Sequence, residues 1–132
     1  MFEKYSDSFL KDFDIHKKLS EVAKKLVSFD KGTLIYSEHD PVRCVYFILS
    51  GRVEMRKLIN EKNESLGYIG AGDLIGLDDA LTGDHYSKTV YATKRTELIS
   101  VRKNDFMILL SLDNDFRLWV LKYICLRITS LS

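Results

Sequence analysis

Proline, cysteine and glycine are all scarce in this sequence, with one, two and seven of them in 132 residues. With so little proline, turns fall to Gly, Asn and Asp. The two cysteines, Cys44 and Cys125, lie far apart in apolar runs. That excludes a disulfide framework and an iron–sulfur cluster within the chain, and points to a reduced, cytoplasmic compartment where both thiols act as small hydrophobes. An excess of one charge is missing too: 20 basic against 19 acidic residues leave +1, short of what a nucleic-acid-binding domain carries. No apolar run approaches the ~18 residues of a membrane span. The opening MFEKYSDSFLKDF is too charged for a signal peptide. What is present, 45% hydrophobic and 30% charged residues, describes one soluble globular domain over residues 1–132.

Three zones follow one another. Residues 6–27 carry helical spacing: Ser6 or Asp7 caps a short helix bearing Phe9, Leu10 and Phe13. Leu19, Val22, Ala23 and Leu26 then form an i, i+3, i+4, i+7 stripe, with Lys17, Lys18, Lys24 and Lys25 on the solvated face. Residues 28–101 read as short strands between turns: Thr33 to Tyr36, Arg43 to Leu49 buried on both sides, and Arg52 to Leu58 in alternation. Glu64 to Ile69 follows beyond the polar loop Asn60 to Asn63, and then Ser87 to Ala92 and Glu97 to Val101. That spacing predicts an antiparallel double-stranded β-helix, a jelly-roll or β-roll, within a mainly β chain that has flanking helices. From Asn104 the pattern is helical again. A short helix bears Phe106, Leu109 and Leu110, and Asp113-Asn114-Asp115 caps a longer one over about 114–132.

That last segment is apolar almost all round. Leu118, Leu121, Cys125 and Ile128 make one seam, and Trp119, Val120, Tyr123 and Ile124 make a second face. One face covers the domain, and the other needs a second burial partner. A homodimer through the seam is the expectation; a helix sunk deeper in its own domain is the alternative. The segment stops at Leu131-Ser132 without a glycine stop signal, and reads as a helix cut short.

Several markers are spread along the chain in order. They are Gly32 after a lysine, Tyr46-Phe47-Ile48 before Ser50-Gly51, Gly72-Asp73 with Gly76, Gly83, Thr89-Val90 with Ala92, and Phe106 with Leu109-Leu110. Together they resemble the cyclic-nucleotide-binding domain, and more closely the sensor domain of Crp/Fnr-type transcription regulators, over roughly residues 19–112. Gly51 permits a tight reversal, and Gly72 and Gly76 a close backbone approach. The resemblance implies a short phosphate-binding helix beginning at Gly76, whose free N–H groups suit an anion. It also implies a Glu after that Gly to take the ribose hydroxyl, and an Arg ten residues on to pair with the cyclic phosphate. Leu77 and Tyr86 stand there instead, as in the Fnr-like branch. Losing a charge-assisted Arg–phosphate bond forfeits roughly 1.5–3 kcal/mol, at least tenfold in affinity, so ordinary cyclic AMP binding is not expected.

Candidate ligand-binding residues are then Gly76, Leu77, Tyr86, Ser87, Lys88 and Thr89. Lys88 either points inward in place of the guanidinium or lies at a strand edge in water. Ser87 occupies a family position that touches the phosphate, and otherwise satisfies local backbone; Tyr86 plugs the pocket. His85, in the loop before Tyr86, is the best placed axial ligand for a haem, and a solvated loop residue is the plainer reading. Glu38-His39-Asp40 could ligate a metal but falls in a family turn, and no metal or other cofactor is expected. Asp78-Asp79 should face solvent. His16, His39 and His85 form no His-x-His constellation, so no enzyme activity is expected.

The expected function is a sensor domain that couples an unknown small-molecule effector to DNA binding. A signal near Gly76 would shift the last helix, and the dimer would pass the shift to a DNA-binding domain absent from this chain. The alternative is a stand-alone ligand-binding or scaffold domain with no DNA role.

Overall fold

The computed structural model describes residues 15–20 and 24–131. They divide into two compact units: Lys24–Lys103, and the described residues that precede and follow it.

The first unit is a β-roll. Among the described residues, eight antiparallel strands form two four-stranded sheets. β1 (Lys24–Phe29), β3 (Cys44–Ser50), β6 (Leu74–Ile75) and β8 (Thr96–Arg102) lie in the order β1-β8-β3-β6. β2 (Leu34–Tyr36), β4 (Arg52–Ile59), β5 (Lys62–Gly70) and β7 (Thr89–Ala92) lie in the order β2-β7-β4-β5. Their buried positions fill the core: Val45, Phe47 and Ile48 from β3, Val53 from β4, Val90 and Ala92 from β7, and Leu98, Ile99 and Val101 from β8. Each buried aliphatic side chain contributes about 1.5–3 kcal/mol relative to exposure, so the roll is held chiefly by this burial.

The turns follow their residues. Gly51, at φ +100°, reverses β3 into β4 so close to the next turn that an added Cβ would sit 2.5 Å from the Arg95 carbonyl. Beneath it the buried Thr96 hydroxyl accepts the Arg52 N–H at 3.3 Å and donates to the Lys94 carbonyl at 2.8 Å. Asn60 and Glu61, both at positive φ, make a two-residue hairpin loop, shorter than the polar loop expected there. Gly72 also has positive φ, but nothing lies within 4 Å of its missing Cβ. Its role is conformational, not the close approach expected.

Two further expectations change. The helical stripe from Leu19 to Leu26 does not exist as one element: α1 (Ile15–Ser20) ends, and Leu26 lies on β1, paired with Ile99. Val22 and Ala23 lie outside the described residues, as does the first helix with Phe9, Leu10 and Phe13. β3 is buried on both sides only in its middle, where the adjacent Phe47 and Ile48 point to opposite faces, while Cys44, Tyr46 and Leu49 are only partly covered. Glu54 keeps the face that alternation assigns to it, with Arg52 and Arg56, yet is itself only 7% exposed.

The second unit contains α1, α3 (Lys103–Leu112, from its second residue onward) and α4 (Asn114–Leu131). Asp113 joins the helices as expected. Its Oδ1 accepts the Phe116 N–H at 2.9 Å, which caps α4, while its Oδ2 pairs with Lys18 of α1 at 2.7 Å. Arg117 closes the end of α3 by donating from Nε to the Leu110 carbonyl and from Nη2 to the Ser111 carbonyl, each at 2.8 Å. Two otherwise orphaned acceptors are thereby satisfied. Phe106 and Phe116 meet edge-on at 5.3 Å between centroids, both fully buried. Along α4, Trp119, Val120, Tyr123 and Leu126 are buried, while Leu118 (51%), Leu121 (52%), Cys125 and Ile128 (62%) are exposed. No helix among the described residues is long and apolar enough to cross a membrane.

Candidate functional site

The segment singled out from the sequence runs from β6 through Gly76 into a short helix, α2 (Leu77–Thr82), then through a loop into β7. Gly76 sits at φ 84°, ψ 0°, a left-handed conformation that glycine adopts without strain, and it turns the chain from strand to helix. A Cβ there would lie 3.2 Å from both the Cys44 carbonyl and the Tyr86 ring, so close approach is real at this glycine. Gly76, Leu77, Tyr86, Ser87, Lys88 and Thr89 all belong to this one segment, and the loop folds Tyr86 back against Gly76.

Tyr86 is 3% exposed and held at both ends. Its hydroxyl donates to the Cys44 carbonyl at 2.6 Å and accepts the Cys44 N–H at 3.3 Å. Its ring stacks on Tyr36 at 3.6 Å, and Tyr36 in turn neighbours Tyr46 at 6.2 Å. Burial pushes the Tyr86 phenol up to about 12, and burial raises Tyr36 and Tyr46 as well. All three are neutral at physiological pH. The position where the resemblance expects a guanidinium therefore offers an uncharged aromatic wall.

Ser87 has each of its polar groups engaged. Its N–H donates to the Asp79 Oδ2 at 3.0 Å, its hydroxyl contacts Lys88 Nζ at 3.2 Å, and its carbonyl accepts from Lys57 Nζ at 2.8 Å. Asp79 is buried, contrary to the expectation that it faces solvent, because α2 and the loop close on each other around that bond. Its carboxylate thus takes a donor from the residue that the resemblance assigns to phosphate. Lys88 matches neither reading: it is neither inward nor in open water, because its ammonium pairs with Asp78 Oδ2 at 2.6 Å. Thr89 accepts the Glu38 N–H at 2.8 Å and so ties the 37–40 turn to β7.

That turn engages its own carboxylates. Glu38 accepts the Leu58 N–H at 3.1 Å and pairs with Lys57 at 3.3 Å; the backbone bond first, then the lysine, hold it below the usual carboxylate range. Asp40 accepts the Ser37 N–H at 3.1 Å, a local turn bond. His39 is exposed at φ 77°, and His85 is an exposed loop residue bridged to Pro41. The residue that sequence reading missed is Asp79: its bond to Ser87 joins positions on a helix and a loop, and neither periodicity nor spacing signals it.

The sequence profile of the cyclic nucleotide-binding domain matches residues 26–113. Human patatin-like phospholipase domain-containing protein 6 is 39% identical over 72 residues, which are 52% of this chain and 5% of that protein. The chain therefore corresponds to a small fraction of that curated relative's length. A cyclic nucleotide-binding domain from Methylobacillus flagellatus KT superposes with a TM-score of 0.77 at 22% identity, covering 98% of this chain and 76% of the other. The c-di-GMP responsive global regulator CLP of Xanthomonas campestris superposes at 0.76 with 18% identity, covering 88% and 56%. The likeness to both structures is one of fold. The profile match spans two thirds of the sequence and coincides with the roll and the segment around Gly76, and the chain belongs to the cyclic nucleotide-binding domain family.

Proposed function

We propose that the chain is the sensor domain of a cytoplasmic Crp/Fnr-like transcription regulator of the Fnr-like branch. In this reading it responds to a signal other than a cyclic nucleotide, and it performs no catalysis. The observation that carries the reading is Tyr86, whose ring fills the ground beside Gly76 with its hydroxyl bonded to Cys44. Asp79 adds to it, because a cyclic phosphate would meet a carboxylate already bonded to the Ser87 N–H. A ligand for Gly76, Leu77, Tyr86, Ser87, Lys88 and Thr89 must then be uncharged or displace these bonds.

The output half rests on α4. The exposed seam of Leu118, Leu121, Cys125 and Ile128 is a stripe that a second copy would cover, leaving the buried face undisturbed. A homodimer so formed would carry a shift of the helix to a DNA-binding domain outside this chain. A thermal-shift screen with cyclic AMP, cyclic GMP, haem, 2-oxoglutarate and small aromatic acids tests the sensor half. No stabilisation by either nucleotide is expected, and a rise of several degrees at micromolar cyclic AMP overturns it. Sedimentation tests the other half: a strict monomer at high concentration removes the dimer.

A second reading, a ligand-binding or scaffold domain without a DNA role, is favoured by one finding. Curated relatives in mammals are named for patatin-like phospholipase domains. A domain of this family thus occurs beside outputs other than DNA.

A further inference from the structure

Away from the Gly76 segment, the other face of the β2-β7-β4-β5 sheet carries a cleft of about 560 Å³, within the size range of small-molecule sites. The register places its side chains. Tyr91 of β7 and Tyr68 of β5 both pair with Glu54 of β4, so the three stand in a row across the sheet. Arg52 and Arg56 flank Glu54 on the same face of β4, and Lys31 completes the wall. Two strand spacings set the tyrosines on the order of 10 Å apart at their bases, with Glu54 between them on the floor of the cleft.

The charges in the cleft do not cancel. Glu54 is only 7% exposed and paired to Arg56 Nε at 2.9 Å, so this carboxylate and one guanidinium neutralise each other. Arg52 donates from Nε to Thr93 Oγ1 at 3.0 Å and rests on the Tyr68 ring at 4.8 Å. Its two Nη groups have no protein partner among the described residues, and neither does the Lys31 ammonium. Two positive charges are left over beside two aromatic faces.

We infer that this cleft is a binding site for a small ring-bearing anion, an aromatic phosphate or carboxylate. The ring lies against Tyr68 and Tyr91, and the anionic group takes the Nη groups of Arg52 and the Lys31 ammonium. Charge-assisted bonds to a guanidinium fork favour such groups, and a cation stacked on a ring is pre-ordered for them. The site is independent of the proposed sensor function and of Tyr86.

The test is a titration of the isotopically labelled chain, followed residue by residue through its backbone amide resonances. The probes are adenosine 5′-monophosphate, phenyl phosphate, benzoate and inorganic phosphate. Saturable shifts centred on Arg52 to Arg56, Tyr68 and Tyr91 are expected for ring-bearing probes, with inorganic phosphate at least tenfold weaker. The phenyl phosphate and benzoate arms tell which anionic group is preferred. Arg52→Gln and Lys31→Gln should each weaken binding roughly tenfold, the loss of one charge-assisted bond. Lys31 lies in an exposed turn, so its variant keeps the test valid if Arg52→Gln disturbs the sheet. No saturable binding, equal binding of inorganic phosphate, shifts centred on Gly76 to Thr89, or full affinity in both variants would each overturn the inference.

Discussion

At position 86 a phenol is fixed by a 2.6 Å bond to the Cys44 carbonyl and a 3.6 Å stack on Tyr36. Tyr86→Phe removes the bond and keeps the stack. It should cost about 1 kcal/mol, the net worth of one hydrogen bond plus part of the penalty for the Cys44 carbonyl, and a urea midpoint measures it. No change in the midpoint would mean that the ring alone holds the segment. Gly51→Ala should cost more, about 1–3 kcal/mol, because it combines positive φ with a Cβ 2.5 Å from a carbonyl. Single residues of this kind were largely legible in the sequence. Leu77 and Tyr86 stand at family spacing, and Gly51 lies between two apolar runs. Asp79 was not legible, because its partner Ser87 comes near only once α2 has folded back.

Elements whose signals are local were legible, and those defined by distant partners were not. Asp113 reads as a cap and is one, bonded to the Phe116 N–H at 2.9 Å and to Lys18 at 2.7 Å. Asp113→Ala should cost about 1 kcal/mol or somewhat more, since a cap and an ion pair are lost together. Thermal unfolding followed by circular dichroism measures it. β1 reads as helix in the sequence because Leu19, Val22, Ala23 and Leu26 happen to match helical spacing. Its identity is fixed by pairing with β8, which lies far along the chain, from Lys24↔Val101 to Phe29↔Thr96. The two faces of α4 were legible as apolar, and the structure shows which one is exposed. Leu121→Glu on that seam should leave the unfolding of the chain nearly unchanged and weaken self-association at least tenfold. Unchanged sedimentation of a dimer would place its interface elsewhere.

At the scale of the molecule, three carboxylates among the described residues have pKa values below their ordinary range. Glu54 is held by Ser65 and Arg56, Glu38 by the Leu58 N–H and Lys57, and Asp113 by Lys18 and the Phe116 N–H. A carboxyl whose folded-state pKa is depressed binds fewer protons folded than unfolded. Its stabilisation is therefore complete above the unfolded value, about 4, and is lost as pH falls through the lower folded value. Denaturant midpoints should be flat near neutrality and fall steeply below about pH 4. Glu54→Gln should be less stable than the parent at pH 7, with the difference shrinking as pH falls. A constant difference would deny that its ion pair with Arg56 matters. The charge balance of +1 forecast none of this, because it sums over pairs that only the fold creates.

The proposed reading stands or falls on whether the segment around Gly76 can accept a cyclic nucleotide beside Tyr86 and Asp79. Calorimetric titration of cyclic AMP into the chain, from micromolar to millimolar, addresses that directly. No saturable heat assignable to the Gly76 segment is predicted, with the Arg52→Gln variant used to remove any contribution of the Tyr68–Tyr91 cleft, because at that segment the phosphate would have neither guanidinium nor open Ser87 N–H. A single-site isotherm with a micromolar Kd, accompanied by shifts at Gly76 to Thr89, would contradict it.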